Sequence, residues 1–197
     1  MGKARGIDIR KIGSGNIGAT NVFRYLGTVA GVAVLLVDAL KGFLAVALVS
    51  RLCWQYFGAS GGTLGREWLE IVAGLSALLG HNYTCWLHFK GGKGIATSAG
   101  VLIALVPYAL LIILSVWILV VALTRFVSLA SICASSTLPF ATWVTGGTPT
   151  MIGITSAMTL LAIYKHKSNI QRLLKGTESR IGTKKGSPAP ETPKATS

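Results

Sequence analysis

The residues best equipped for chemistry lie in two glycine-rich stretches far apart in the chain. One reads Gly13-Ser14-Gly15-Asn16-Ile17-Gly18-Ala19-Thr20-Asn21, with Arg24 one turn further on. The other reads Lys90-Gly91-Gly92-Lys93-Gly94, preceded by Gly80-His81 and followed by Ile95-Ala96-Thr97. Glycines let a backbone curl until several N–H groups converge on one anion, and lysines beside them add mobile positive charge. A helix starting directly after the second stretch would turn its unsatisfied N–H groups and the positive end of its dipole to the same anion. That chemistry suits a phosphate, and two such cradles suggest two phosphorylated ligands.

Further polar groups join them if the topology brings Lys90, Thr97, Ser128, Ser131, His166 and Asn169 to the same side. The set is rich in cations and hydroxyls and almost free of carboxylates. A metal hydrolase would need clustered Asp, Glu or His, and a Ser-His-Asp hydrolase an acidic partner for its histidine, so neither is expected, nor is a metal or cofactor. The set fits transfer chemistry, in which cations and backbone donors neutralise phosphate while a bound hydroxyl attacks a carbonyl or phosphoryl centre. Plainer roles stand beside these. His81 and His88 could be interfacial side chains, Ser128 and Ser131 helix caps, and Lys165, Lys167 and Arg172 charges that only orient the chain in a membrane. Lys93, between glycines at a helix start, has little structural excuse. Gly13-x-Gly15-x-x-Gly18 also spells a dinucleotide fingerprint, but a basic segment precedes it where a buried strand is required, and Asp38 falls inside an apolar helix.

The elements that must position these residues are membrane helices. Of 197 residues, 51% are hydrophobic and 13% charged, and the mean hydropathy is +0.60, outside the range of soluble domains. The net charge of +13 comes from 19 Lys and Arg against 6 Asp and Glu, with eight of the cations from Lys165 onward. An excess of cations in cytoplasmic loops explains this better than nucleic-acid binding. Cys53, Cys85 and Cys133 show no metal-ligand spacing and read as structural thiols. Six membrane segments are expected: Thr28 to Ser50, Trp68 to Leu87, Ile95 to Val106, Tyr108 to Leu123, Phe126 to Val144, and Thr150 to Tyr164. The run from Ile95 to Leu123 is divided at Pro107, because folding back there keeps both cradles, Arg125 and the basic tail on one face. Its first limb is then short and expected to be tilted or partly re-entrant. Asp38 and Lys41, three apart on one helical face, read as an ion pair that either serves the bundle or orders the first cradle from behind. Residues 1–176 form the membrane domain of this all-α bundle, and residues 177–197 read as a disordered basic tail.

Both glycine stretches, with Arg24, Ser128-Leu129-Ala130-Ser131, and His166, Asn169 and Glu178, resemble the motifs of the bacterial membrane acyl-phosphate glycerol-3-phosphate acyltransferases, the PlsY type, over residues 6 to 178. The resemblance implies transfer of a fatty acyl group from acyl phosphate to the sn-1 hydroxyl of glycerol 3-phosphate. Lysophosphatidic acid and inorganic phosphate would form at the cytoplasmic face of the inner membrane, in the first step of phospholipid synthesis. It implies no cofactor or metal, a membrane-lipid environment, a monomer, and an association with the enzyme that makes acyl phosphate. Lys93, His81, Ser128 and Arg24 are the expected catalytic residues. Gly13, Ser14, Gly15, Asn16, Gly18, Thr20, Asn21, Gly91, Gly92, Gly94, His166 and Asn169 are the expected substrate-binding residues. Ser14, Asn16 and Arg24 are assigned to the donor phosphate, and Lys93, Ser128, His166 and Asn169 to the acceptor. Which cradle takes which phosphate stays open, as does the general base, either His81 or the departing phosphate. Two departures stand out. Members of that family begin with a further helix, which would raise the count to seven; a start assigned too late, a fragment, or a version that does without the helix are the three explanations, and the first is favoured. Thr84 stands where their second motif has proline.

Overall fold

The computed structural model describes residues 6–57 and 65–182. Among these, the regular structure is entirely helical: α1 Ala19–Leu26, α2 Thr28–Leu44, α3 Ser50–Phe57, α4 Arg66–Asn82, α5 Ile95–Leu105, α6 Pro107–Thr124, α7 Val127–Val144, α8 Pro149–Lys165 and α9 Lys167–Leu174. A π-turn, Ala45–Val49, joins α2 to α3, so one apolar helix of 29 residues runs from Thr28 to Tyr56. That helix, α6 and α7 are each long and apolar enough to cross a membrane, and α5 is a shorter apolar helix. Their outer faces carry Leu36, Leu40, Leu111, Ile118, Leu119 and Trp143, all exposed. In water such a surface would drive association, and in a bilayer it is the expected lipid-facing band.

Proline and single left-handed residues set the helix ends. Val106 leaves the helical region (φ −144°, ψ 65°), and Pro107 opens α6 at a position where its missing N–H costs nothing. Arg125 (φ 63°) ends α6. Thr148 accepts a hydrogen bond from the Met151 amide to cap α8, and donates to Glu67 Oε1 at 3.2 Å, pinning the α7–α8 turn to the start of α4. Lys93 before α5 and Ser128 after α6 line one cavity, so the α5–α6 pair leaves that end of the bundle and returns to it, as the proline break predicts. At 1.5 Å per residue the 11 residues of α5 reach about 16 Å, roughly half of a ~30 Å hydrocarbon core.

This short helix sits at the centre. Val101 and Leu102 join Val46, Leu78, Ala109, Ile113, Ala134, Leu138, Ala141 and Met158 in one apolar cluster drawn from six segments. α5 lies against α2 because Gly100 and Gly42 remove the side chains between them. A Cβ on Gly100 would stand 1.8 Å from the Ala39 carbonyl oxygen, and one on Gly42 2.3 Å from that of Thr97.

Three expectations from the sequence are corrected. The segment Trp68 to Leu87 is helical only as far as Asn82, and Cys85–Leu87 form a 3-10 turn. The first helix continues past Ser50 to Phe57. Residues 177 to 182, which composition assigns to a disordered tail, fold back onto the bundle: the Ile181 amide donates to the Arg125 carbonyl at 2.8 Å and the Arg125 side chain to the Ile181 carbonyl at 3.1 Å. The remainder of that tail lies outside the described residues.

Candidate functional site

At the end of the bundle where α1, α5 and α7 begin, a cavity of about 230 Å³ opens. Ala19 and Thr20, Ile95 and Ala96, and Val127 and Ser128 line it from the first turns of those three helices, where backbone N–H groups lack intrahelical acceptors and the dipoles present positive ends. Arg24, Lys93 and Arg172 add side-chain cations. Of the expected site residues, Gly13, Ser14, Asn16, Gly18, Thr20, Asn21, Arg24, His81, Lys93, Gly94, Ser128, His166 and Asn169 all line this one cavity, whereas Gly15, Gly91 and Gly92 do not.

The first glycine loop is held by its own side chains. Asn21, buried at the start of α1, accepts from the Ser14 amide (3.2 Å) and donates to the carbonyls of Ile9 (3.2 Å) and Ile12 (3.0 Å). Asn16 accepts from the Gly18 amide at 2.8 Å, and the Gly15 amide donates to Ile12 at 3.0 Å. The amides of Ser14, Gly15 and Gly18 are therefore spent inside the loop, and the anion-facing donors at this wall are the first turn of α1 and Arg24. The second loop differs from expectation in the same way. The Gly92 amide donates to the His81 carbonyl at 3.2 Å, so it caps the end of α4 instead of pointing into the cavity. Gly94 holds φ 78° at the start of α5, directly over the Asn82 side chain, and so turns the chain to present Lys93.

Lys93 Nζ donates to Asn169 Oδ1. Asn169 passes the contact on, donating to Glu178 Oε1 at 2.7 Å, which also accepts from Ser128 Oγ at 2.8 Å; Arg172 Nε holds Glu178 Oε2 at 2.6 Å. Arg24 donates to the Ser179 carbonyl at 2.9 Å. The segment after α9 thus crosses the cavity and ties α1, α7 and α9 together. Burial lowers the Lys93 pKa to about 8, with Arg172 and Arg24 pushing down and Glu178 pulling up. Burial, reinforced by Lys93, lowers that of His166 to about 4, so its imidazole is neutral. Its Nδ1 lies 2.7 Å from the Ala162 carbonyl, which only accepts; the proton is on Nδ1 and Nε2 keeps a lone pair. Burial alone would raise the Glu178 pKa, but the bonds from Ser128, Asn169 and Arg172 outweigh it and hold the carboxyl below its usual range.

Sequence reasoning passed over Arg172 and the position of Glu178 within the cavity. The spacing of His166, Asn169 and Arg172 at intervals of three was the available signal, since it aligns them on one face of a helix. Thr84 takes φ −60° and ψ 128°, close to the φ that a proline would fix.

Together these features describe a multi-helix membrane protein whose polar cavity gathers cations and helix N-termini at one end. The comparisons with known proteins agree with that class and narrow it. The chain belongs to the glycerol-3-phosphate acyltransferase family, whose model matches residues 1–176. It is 50% identical over 183 residues to the glycerol-3-phosphate acyltransferase of Desulforudis audaxviator, covering 92% of this chain and 85% of that protein. It is 45% identical over 177 residues to that of Rhizobium meliloti, covering 90% and 80%. Among solved structures it resembles PlsY, an integral membrane glycerol 3-phosphate acyltransferase. The glycerol 3-phosphate form superposes with a TM-score of 0.79 at 40% identity over 92% of this chain and 86% of that one. The lysophosphatidic acid form gives 0.76 at 39%, over 92% and 85%.

Proposed function

We propose that this enzyme moves a fatty acyl group from acyl phosphate to the sn-1 hydroxyl of glycerol 3-phosphate at the cytoplasmic face of a bacterial inner membrane. The hydroxyl oxygen attacks the acyl carbonyl carbon, the bond from that carbon to the bridging phosphate oxygen breaks, and inorganic phosphate leaves. Lysophosphatidic acid remains, and the hydroxyl proton goes to the departing phosphate. The observation that carries this reading is the meeting of three helix N-termini with Arg24, Lys93 and Arg172 around one cavity, enough positive potential for two phosphates held close together. The donor phosphate is assigned to Ser14, Asn16 and Arg24 with the first turn of α1. The acceptor phosphate is assigned to Lys93, Ser128 and Asn169 with the first turn of α5. His166 is assigned to the glycerol end, because a neutral ring whose Nε2 can only accept suits a hydroxyl better than a phosphate dianion. A second cavity of about 510 Å³ shares Asp38 and His81 with the first; beyond these, Lys41 and Thr84, its lining is apolar, with Ile17, Val34, Ala77, Trp86 and Leu87, a wall able to take the start of the acyl chain.

The test is phosphate release by membranes containing the chain, supplied with a long-chain acyl phosphate with and without glycerol 3-phosphate, with lysophosphatidic acid detected by mass spectrometry. Release that needs both substrates, appears with the lipid product, and drops by about 10²-fold or more in Lys93→Ala is expected, as for loss of one oriented transition-state donor. Uptake of glycerol 3-phosphate into vesicles with no lipid product would overturn the reading in favour of transport.

A further inference from the structure

In the cavity wall, Asp38 and His81 form with Lys41 a cluster with no role in the scheme above as donors to phosphate. Lys41 Nζ is paired with Asp38 Oδ1, and it also lies 2.7 Å from His81 Nδ1, while Asp38 Oδ1 is 3.4 Å from the same ring nitrogen. An ammonium group has three donors and no acceptor. At 2.7 Å it can only donate to a lone pair, so Nδ1 is unprotonated and the ring proton is on Nε2. The other face of the ring meets the second glycine loop. A Cβ on Gly92 would stand 2.1 Å from His81 Nε2, and one on Gly91 2.0 Å from the His81 carbonyl oxygen, which itself accepts from the Gly92 amide at 3.2 Å. The His81 side chain is 6% exposed. Loop and imidazole are flush, and only glycine permits it.

We propose that Asp38, Lys41 and His81 are a positioning device for the Lys93 loop: Lys41, anchored by Asp38, selects the Nε2–H form of His81, and that ring is the seat on which Gly91 and Gly92 rest so that Lys93 enters the cavity. His81 is then a positioning residue and not the general base, because one ring nitrogen is engaged by Lys41 and the other carries a hydrogen. The inference rests on the acyltransferase reading, but its first test does not. The chain has three histidines, His81, His88 and His166, so nitrogen NMR of histidine-labelled protein, with His81 assigned by the signal missing from His81→Gln, reads its tautomer directly. A neutral Nε2–H ring that shifts toward mixed tautomers in Lys41→Met and returns in Lys41→Arg is expected. A neutral Nδ1–H ring or an imidazolium at assay pH would overturn the proposal.

Kinetics supply the second arm. His81→Gln, whose amide puts a donor near Nε2, is expected to keep kcat within about threefold and to leave the shape of the kcat pH profile unchanged, while KM for glycerol 3-phosphate rises. A general base would instead cost 10²–10⁴ in kcat, and that result would sink the positioning role. Gly92→Ala is expected to raise the same KM about tenfold in the wild-type background and to add no more than twofold once His81→Ala has removed the ring; equal penalties in both backgrounds would mean the ring is not the seat. Wild type inactive in every assay, with the Nε2–H tautomer present, would count against the acyltransferase reading alone.

Discussion

Lys93 is where charge, burial and ligand meet. Its ammonium has been drawn out of water by the fold, which lowers its pKa to about 8, and it keeps one protein acceptor, Asn169. A bound phosphate would replace the lost hydration, so the protonated form is the one that binds. In the free enzyme that form is present below about pH 8 and lost above it, so kcat/KM for glycerol 3-phosphate is expected to fall along an alkaline limb near that value. Lys93→Arg, whose guanidinium stays charged, should move the limb upward by more than one pH unit even if it lowers the maximum. A limb unmoved by this substitution would assign the titration to another group. Glu178 works in the opposite sense. Its carboxylate is favoured in the folded chain, so its contribution to stability is present above about pH 4.5 and is lost as the pH falls through its lower folded value. The melting temperature should therefore decline more steeply below pH 4.5 in wild type than in Glu178→Gln, measured in the same detergent.

At the level of elements, buried hydroxyls join the helices alongside the apolar cluster. Pro139 sits inside α7 and has no N–H, which leaves the Ser135 carbonyl, four residues back, without its helical donor. Thr159 of α8 supplies one from across the interface, with its Oγ1 2.6 Å from the Ser135 oxygen. In lipid no water can take that place. Thr159→Val is expected to lower stability by about 1 kcal/mol, read from unfolding in mixed detergent micelles. Pro139→Ala should recover most of it by returning an N–H to Ser135; a double variant no better than Thr159→Val alone would show that the bond is not what joins these helices. How far such elements could be read from sequence depended on whether the cause was local. Pro107 announced the break between α5 and α6, and long apolar runs announced α2, α6 and α7. α1 and α9 were not legible as helices, because each has eight residues, too few to be stable alone. What holds α1 is the burial of Val22 and Leu26 against neighbouring chain. Glu178 was visible as a motif residue, but the fold-back around it was hidden, since a Lys- and Ser-rich tail reads as solvent-bound until Arg172, Ser128 and Asn169 are seen to converge on one carboxylate.

For the whole molecule, what matters is which side of the membrane the cavity opens on. The two ends of the bundle differ in charge. Lys90, Lys165, Lys167, Arg172, Lys175 and Arg180 belong to the loops and helix ends at the cavity side, whereas the opposite end, marked by the Thr148–Glu67 contact, has a sparser mixture that includes Arg66 paired with Glu70. In the proposed orientation the end richer in cations, and the cavity with it, faces the cytoplasm, where both proposed substrates would be made. Cys85 offers a native reporter of that orientation, because it is exposed in the turn after α4 on the cavity side, while Cys53 and Cys133 are half-buried. A membrane-impermeant maleimide should label Cys85 in inverted vesicles and not in right-side-out spheroplasts, with Cys85→Ser abolishing the signal. Arg66→Cys in the Cys85→Ser background, exposed at the first turn of α4, should give the reverse pattern. Both positions labelled from the same side would break the topology in which α4 crosses once. Cys85 labelled only in spheroplasts would turn the cavity outward, and a site opening there could not draw an acyl phosphate from the cytoplasm.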